Sequence, residues 1–298
     1  MASTFFGLHI GSSALSSFQV ATNTTANNIA NVKTTGYTRQ AATLQAKDAI
    51  NVTARYGSVG TGVTVTSIKQ QRDLYYDNKY WENNSCYGRY EQKLYYMEQI
   101  QNYFKDNGSS VKGFSSVFSQ MFSDLDTLRS KPSDKTVRNQ FISSAQSLCT
   151  YFNQMSDNLS KLQDDCNEEI KNNVDEINSI SEKISLLNKE INQIETGTGV
   201  EASSLRDERA NLIDSLSKIV NVSYNETEVQ NTYGDNLGGT NFSLYINGEK
   251  VVEGKDYRKL ICESSKTKNR QTTTICIKYT GKILRWSFPR QPEPQGEA

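Results

Sequence analysis

The stretch IKNNVDEINSISEKISLLNKEINQI, Ile170 to Ile194, carries a seven-residue apolar repeat. Ile170, Ile177, Ile184 and Ile191 take one seam position. Ile180, Leu187 and Ile194 take the other, and Asn173 interrupts it. β-Branched residues on a sustained 3.5-residue period predict a long helix that packs in a bundle or coiled coil. The helix is expected from about Thr136 to Ile194. Thr196-Gly-Thr-Gly199 reads as a turn, after which Ser203 or Ser204 can cap a second helix with Asp207 and Glu208 in its first turn. Leu205, Leu212, Leu216 and Ile219 form its apolar stripe. Two such helices joined by a short loop should pack antiparallel.

Upstream, Tyr75 to Phe104 reads as a tyrosine-rich helix, with Leu94, Met97, Ile100 and Phe104 at helical spacing. A break at Asp106-Asn-Gly108 and a helix from about Val111 to Arg129 follow. Its stripe is Phe114, Val117, Phe118, Met121, Leu125 and Leu128, and Pro132 closes it. From Asn31 to Ile68 the glycines Gly36, Gly57, Gly60 and Gly62 and the alternation Val63-Thr-Val65-Thr predict extended chain and short strands. The first segment is a helix with a thin seam: Leu8, Leu15, Thr22 and Ile29 recur every seven residues, offset by Gly11, Phe18 and Thr25. So little apolar area against about 1–2 kcal/mol of ordering cost per residue predicts that the first ~30 residues are mobile in the isolated chain.

Beyond Asn221 the pattern turns to strands, at Val222-Ser-Tyr224 and Phe242-Ser-Leu244-Tyr-Ile246. Asn247-Gly248 signals a tight hairpin returning through Val251 and Val252. The tail from about Ser287, with Pro289, Pro292 and Pro294, matches no element. The expected fold is mainly α with a smaller β part: elongated and multi-domain, a long helical bundle or coiled coil followed by the start of a β-rich domain. The expected segments are 1–70, 71–220 and 221–298.

Chemistry finds little to work with. Lys plus Arg and Asp plus Glu are both 33 in 298 residues, so no net field favours nucleic acid or an anionic membrane. No run approaches the ~18 apolar residues of a membrane span, and the start lacks the basic region of a cleaved signal peptide. His9 is the one histidine: nothing in the sequence brings it the nucleophile and orienting acid of a triad, and with scattered cysteines it makes no zinc-ligand set. Cys149 and Cys166 fall at apolar helical positions and read as small core residues. Cys262 and Cys276 lie in strand-rich sequence and could face each other. The tyrosines lack interleaved basic residues and read as helix packing. No catalytic, cofactor or metal residue is assigned, and no cofactor.

Asn27-Asn28-Ile29-Ala30-Asn31 followed by Thr34-Thr35-Gly36-Tyr37-Thr38-Arg39-Gln40 resembles the N-terminal signature of flagellar rod, hook and hook-associated proteins. Arg39-Gln40 points within that family toward the hook-associated protein 1 branch. Gly60-Thr-Gly62-Val63-Thr-Val65 with Arg72-Asp73 resembles its next block, and so does Leu205-Arg-Asp207-Glu-Arg209 with Leu212-Ile-Asp214. The blocks cover roughly residues 1–260 in family order. The resemblance implies a structural, non-enzymatic subunit of the hook–filament junction, exported without a cleaved signal peptide and located outside the cell; the alternatives are another flagellar axial protein of hook or rod type and, behind it, an extracellular enzyme or adhesin domain on a flagellar scaffold. Implied partners are the flagellar hook protein, a second junction protein, sibling subunits in a ring and the export apparatus, with no nucleic acid and no membrane insertion. Packing is expected through Leu8, Leu15, Phe18 and Ile29 and through Ile170, Ile177, Ile184 and Ile191. Asn28, Ile29, Ala30, Asn31, Gly36, Tyr37, Arg39 and Gln40 are the motif residues. Members of the family close with a second terminal helix that this sequence does not show. The chain therefore reads as C-terminally truncated, which puts chaperone binding in doubt.

Overall fold

The computed structural model describes residues 5–51, 57–105, 113–234, 236–267, 270–279 and 282–285. The expected break at 106–108, the tail from Ser287 and the side chain of Cys276 lie outside them. In chain order the elements are α1 (Phe6–Ala30), β1 (Gln40–Ala46), β2 (Ile50–Asn51), β3 (Ser58–Val59), β4 (Val63–Gln70), α2 (Leu74–Tyr103), α3 (Phe114–Ser130), α4 (Lys135–Glu195) and α5 (Ser203–Ile219). Then come β5 (Val222–Gln230), β6 (Asn236–Ile246), β7 (Glu249–Glu253), β8 (Asp256–Tyr257), β9 (Lys259–Thr267), β10 (Arg270–Tyr279) and β11 (Lys282–Arg285). The fold is mainly α with antiparallel sheet, as expected. Packing divides it into two units that are discontinuous in sequence: 1–86 with 176–260 and 277–284, and 87–175 with 261–276 and 285–298. The segments drawn from the sequence follow chain order instead.

The first unit is built on the end of α4, which the heptad repeat foresaw. Ile177, Ile180, Ile184, Leu187 and Ile191 are buried, and Ile194 at the end of the repeat is exposed. α5 runs back along α4: Arg206 reaches Glu195, and Arg209, one turn later, reaches Asn188. Its buried face differs from the expected stripe. Ala210, Ile213 and Leu216 are buried together with Asp207, Arg209 and Ser217, whereas Leu205, Leu212 and Ile219 are half-buried. Charged side chains can occupy that face because each finds a partner there.

The four-stranded sheet β5-β6-β7-β8 is antiparallel throughout and contributes Val222, Phe242, Leu244, Ile246, Val251 and Val252 to the same core. Asn247 and Gly248 both have positive φ, the geometry expected of the β6–β7 hairpin. Asparagines on α4 fasten the helix to the sheet. Asn178 exchanges two hydrogen bonds with the Leu260 backbone, the Asn188 amide donates to the Gly254 carbonyl, and Asn192 accepts from the Thr240 N–H. Trp81, from the start of α2, is buried against Tyr224 and donates its indole N–H to Asp214 at 2.7 Å.

The second unit holds the remainder of α2, α3 and the first part of α4. Gln92 and Tyr96 of α2 donate to Glu169 of α4. Phe114 stacks on Phe118 and lies near Tyr151 and Phe152. Ile170 is half-buried here. Two expectations are corrected. Cys149 is exposed and Cys166 half-buried, because Ser144, Leu148, Tyr151 and Met155 take the inward positions in this part of α4. Tyr75, Tyr76, Tyr80, Tyr87, Tyr90 and Tyr95 lie exposed, since the inward face of α2 is drawn by Trp81, Asn84, Gln92 and Tyr96 instead. The remaining pairings are β2 with β3 and the order β11-β10-β9.

Candidate assembly site

α1 lies against the antiparallel pair β1–β4, in which Gln40 opposes Gln70 and Ala46 opposes Val63. It does so with a face that the seam did not include. Ser17 and Thr24 are buried, and Ile10, Ser13, Ala14, Val20, Ala21 and Asn28 are half-buried along the same side. The Ser17 hydroxyl donates to the Val63 carbonyl at 3.2 Å. Small residues let the helix backbone come close: a Cβ added at Gly62, whose φ is +108°, would overlap the Ser13 hydroxyl. The structure seats α1 through small and polar contacts on the opposite face.

The seam itself points outward. Leu8 is 70% exposed, Leu15 72%, Phe18 58% and Ile29 68%. These apolar side chains repeat along one face of the seated helix.

The asparagine–glycine–tyrosine motif explains how the helix is held. Asn31 ends α1, donating both its backbone and its side-chain N–H to the Asn27 carbonyl. Thr34 then donates to Asn31 Oδ1. The chain turns at Gly36, whose φ is +76° and where any Cβ would overlap the Asn211 carboxamide. The Asn28 carboxamide donates to the Gln40 carbonyl at 2.8 Å and accepts the Gln40 N–H at 3.0 Å, copying a strand neighbour. The Tyr37 hydroxyl donates to Asn28 Oδ1 at 2.9 Å, while Asn27 donates to the Tyr37 oxygen. Ala30 and Arg39 are exposed, and the Arg39 carbonyl accepts from the Gln71 N–H.

Sequence reasoning missed where this motif lands. Asp207 of α5 accepts the Thr38 N–H at 3.3 Å and the Gln70 carboxamide at 2.8 Å. Gln70 also donates to the Ser203 carbonyl and, through its backbone, to Glu201. Neither Ser203 nor Ser204 caps α5. Ala202 holds the cap position, and its N–H is taken by the Glu195 carboxylate.

Around α5 runs a buried ionic cluster. Glu195 binds Arg206 by two hydrogen bonds of 2.7 and 2.8 Å. Glu226 Oε1 accepts from Arg206, Arg209 and Thr240, and Arg209 lies 4.0 Å over the Phe242 ring. Burial alone would raise the Glu226 carboxyl, but the charges of Arg209 and Arg206 hold it below the usual range. Burial lowers Arg209 against the pull of Glu226. Burial also lifts the Glu201 carboxyl, opposed by the Gln70 N–H, and pushes Tyr224 up to about 12. These groups are spent on one another, an arrangement that fixes elements in place. Among the described residues no three His, Cys, Asp or Glu side chains gather to hold a metal, and no helix is long and apolar enough to cross a membrane.

Residues 8–38, which span α1 and its turn, match the family described as flagella basal body rod protein, so the outward seam belongs to a module of flagellar proteins. Residues 97–285 match the flagellar hook-associated protein FlgK helical domain. The chain belongs to this hook-associated family. It is 34% identical over 268 residues to flagellar hook-associated protein 1 of Bacillus subtilis, covering 86% of this chain and 52% of the relative. It is 32% identical over 271 residues to the protein of that name in Salmonella typhimurium, covering 89% of this chain and 46% of the relative. The chain thus spans about half the length of these curated relatives. The solved hook junction protein FlgK of Burkholderia pseudomallei shares the fold, with a TM-score of 0.55 and 22% identity over 73% of this chain and 35% of that one.

Proposed function

We propose that the chain is a structural subunit of the bacterial flagellum at the junction between hook and filament. The observation that carries this reading is the outward seam of Leu8, Leu15, Phe18 and Ile29 on a helix fixed to its own body from the other side. Segment 1–70 would be the part that packs into the tube, with 71–220 as the helical domain and 221–298 as the β-rich part. Partners in this reading are the hook protein, a second junction protein and sibling subunits, reached after export through the flagellar apparatus without a cleaved signal peptide. The paired charges around α5 are consistent with a scaffold in place of a catalyst.

The test is the position of the tagged 298-residue chain in flagellated cells of its source organism. Immunogold labelling of isolated flagella should place it in a band between hook and filament. Label spread along the rod, hook or filament, or confined to the cell body, would overturn the proposal.

A further inference from the structure

We propose that Asp207 is a positioning residue that sets the angle at which α1 presents its seam, by tying the N-terminal module to α5. The inference takes its biological meaning from the assembly role proposed above, but its physics stands apart from it.

α1, β1 and β4 form one local body. Asn28 joins α1 to Gln40, Ser17 joins it to Val63, and β1 pairs with β4 from Gln40–Gln70 onward. Contact between this body and α5 is concentrated at the end of the sheet where β1 begins and β4 ends. One carboxylate serves the turn leading into β1 and the end of β4: Oδ2 takes the Thr38 N–H and Oδ1 takes the Gln70 carboxamide. Asp207 is 8% exposed, so the pair of bonds is sheltered from water and each oxygen has a donor aimed at it. Beside it the Asn211 carboxamide fills the space that only glycine leaves at position 36. Arg206 and Arg209 flank Asp207 on α5, and both are committed to Glu195, Glu226 and Asn188. Asp207 is therefore left to the N-terminal module, and α5 is rigid where Asp207 leaves it. Two blocks of sequence 169 residues apart, Thr34–Gln40 and Leu205–Arg209, work as the two halves of one latch.

Asp207→Asn keeps the size of the side chain. It must turn an NH2 toward one of the two donors, so one bond is lost and a repulsive contact replaces it. The module should then stay folded and swing as a body. The experiment uses the full chain, isotope-labelled, with amide hydrogen exchange and residual dipolar couplings. In the parent chain, amides of α1, β1 and β4 and amides of α5 and β5–β7 should fit a single alignment tensor. In Asp207→Asn the two groups should need different tensors, and Thr38 should exchange about tenfold faster, with α4 and α5 as protected as before. Gln70→Ala, which cuts the same latch from the strand side, should separate the tensors too.

A single tensor with unchanged Thr38 exchange in both variants would overturn the proposal. So would loss of protection throughout α5 in both, since that makes Asp207 a general structural residue. The labelling experiment can fail without touching this result, and this result can fail with the junction label in place.

Discussion

Ile184→Ala tests the packing of α4 most directly. Ile184 is 0% exposed. The substitution removes three methylene equivalents, about 2.4 kcal/mol of transfer free energy at ~0.8 kcal/mol each. A cavity term adds to this in proportion to how little the site relaxes. Relaxation is restricted here. Ser181 is bonded to the Ile177 carbonyl, and Asn188 is held by Arg209 on one side and Gly254 on the other. The expected loss is about 3–4 kcal/mol, near the middle of the range for such deletions. Leu186, two positions along, is 55% exposed, and Leu186→Ala should cost no more than about 0.5 kcal/mol. Ile170→Ala, at a half-buried site of the same repeat, should fall between them. The assay is equilibrium urea unfolding followed by circular dichroism. A loss under about 1 kcal/mol at Ile184, or equal losses at Ile184 and Leu186, would show that the seam is not packed as described.

Gly36→Ala should destabilise more than Gly57→Ala by thermal denaturation. Both glycines have φ near +75°, costing about 1–2 kcal/mol for a Cβ, but only Gly36 meets a neighbour, Asn211. Glu226→Gln should lower stability at pH 7 by on the order of 3 kcal/mol, since Arg206 and Arg209 lose their shared anion. The folded Glu226 carboxyl lies below its unfolded value, so its contribution is full above the unfolded pKa and fades as pH falls through the folded one. The two proteins should therefore converge in thermal midpoint on acidification below about pH 4, and a gap that widened there would refute the sign. Glu201→Gln should show the reverse: its raised carboxyl is a cost above the folded pKa, so the variant gains midpoint near neutrality and none in acid. Leu15→Asp with Phe18→Asp should leave the midpoint of the isolated chain unchanged, as both residues are exposed, while abolishing its label at the junction.

The sequence made α4, α5 and the β6–β7 hairpin legible because their signals are local. A seven-residue repeat needs only the helix itself, and Asn247-Gly248 needs only two positive φ angles. At α1 the apolar repeat marks the exposed side, and Ser17 and Thr24, which no apolar repeat marks, form the buried one. In α5 the guanidinium of Arg209 and the carboxylate of Asp207 lie outside the apolar stripe the sequence shows. Their partners, Glu226, Thr38 and Gln70, lie too far along the chain for any periodicity to announce them. The motif from Asn27 to Gln40 was recognisable as a pattern, but its landing place was not, because a turn records its own geometry and nothing of the surface it meets.

The Asn28 clasp also bears on solubility. β1 has β4 on one side only, so at Gln40 the N–H and carbonyl turned away from β4 would be a template for a strand of another molecule. The carboxamide of Asn28 already occupies both. An asparagine from the protein's own helix thus caps the edge of β1 at Gln40. Replacing it with a residue that cannot both donate and accept would leave a sticky end beside the exposed side chain of Ile29.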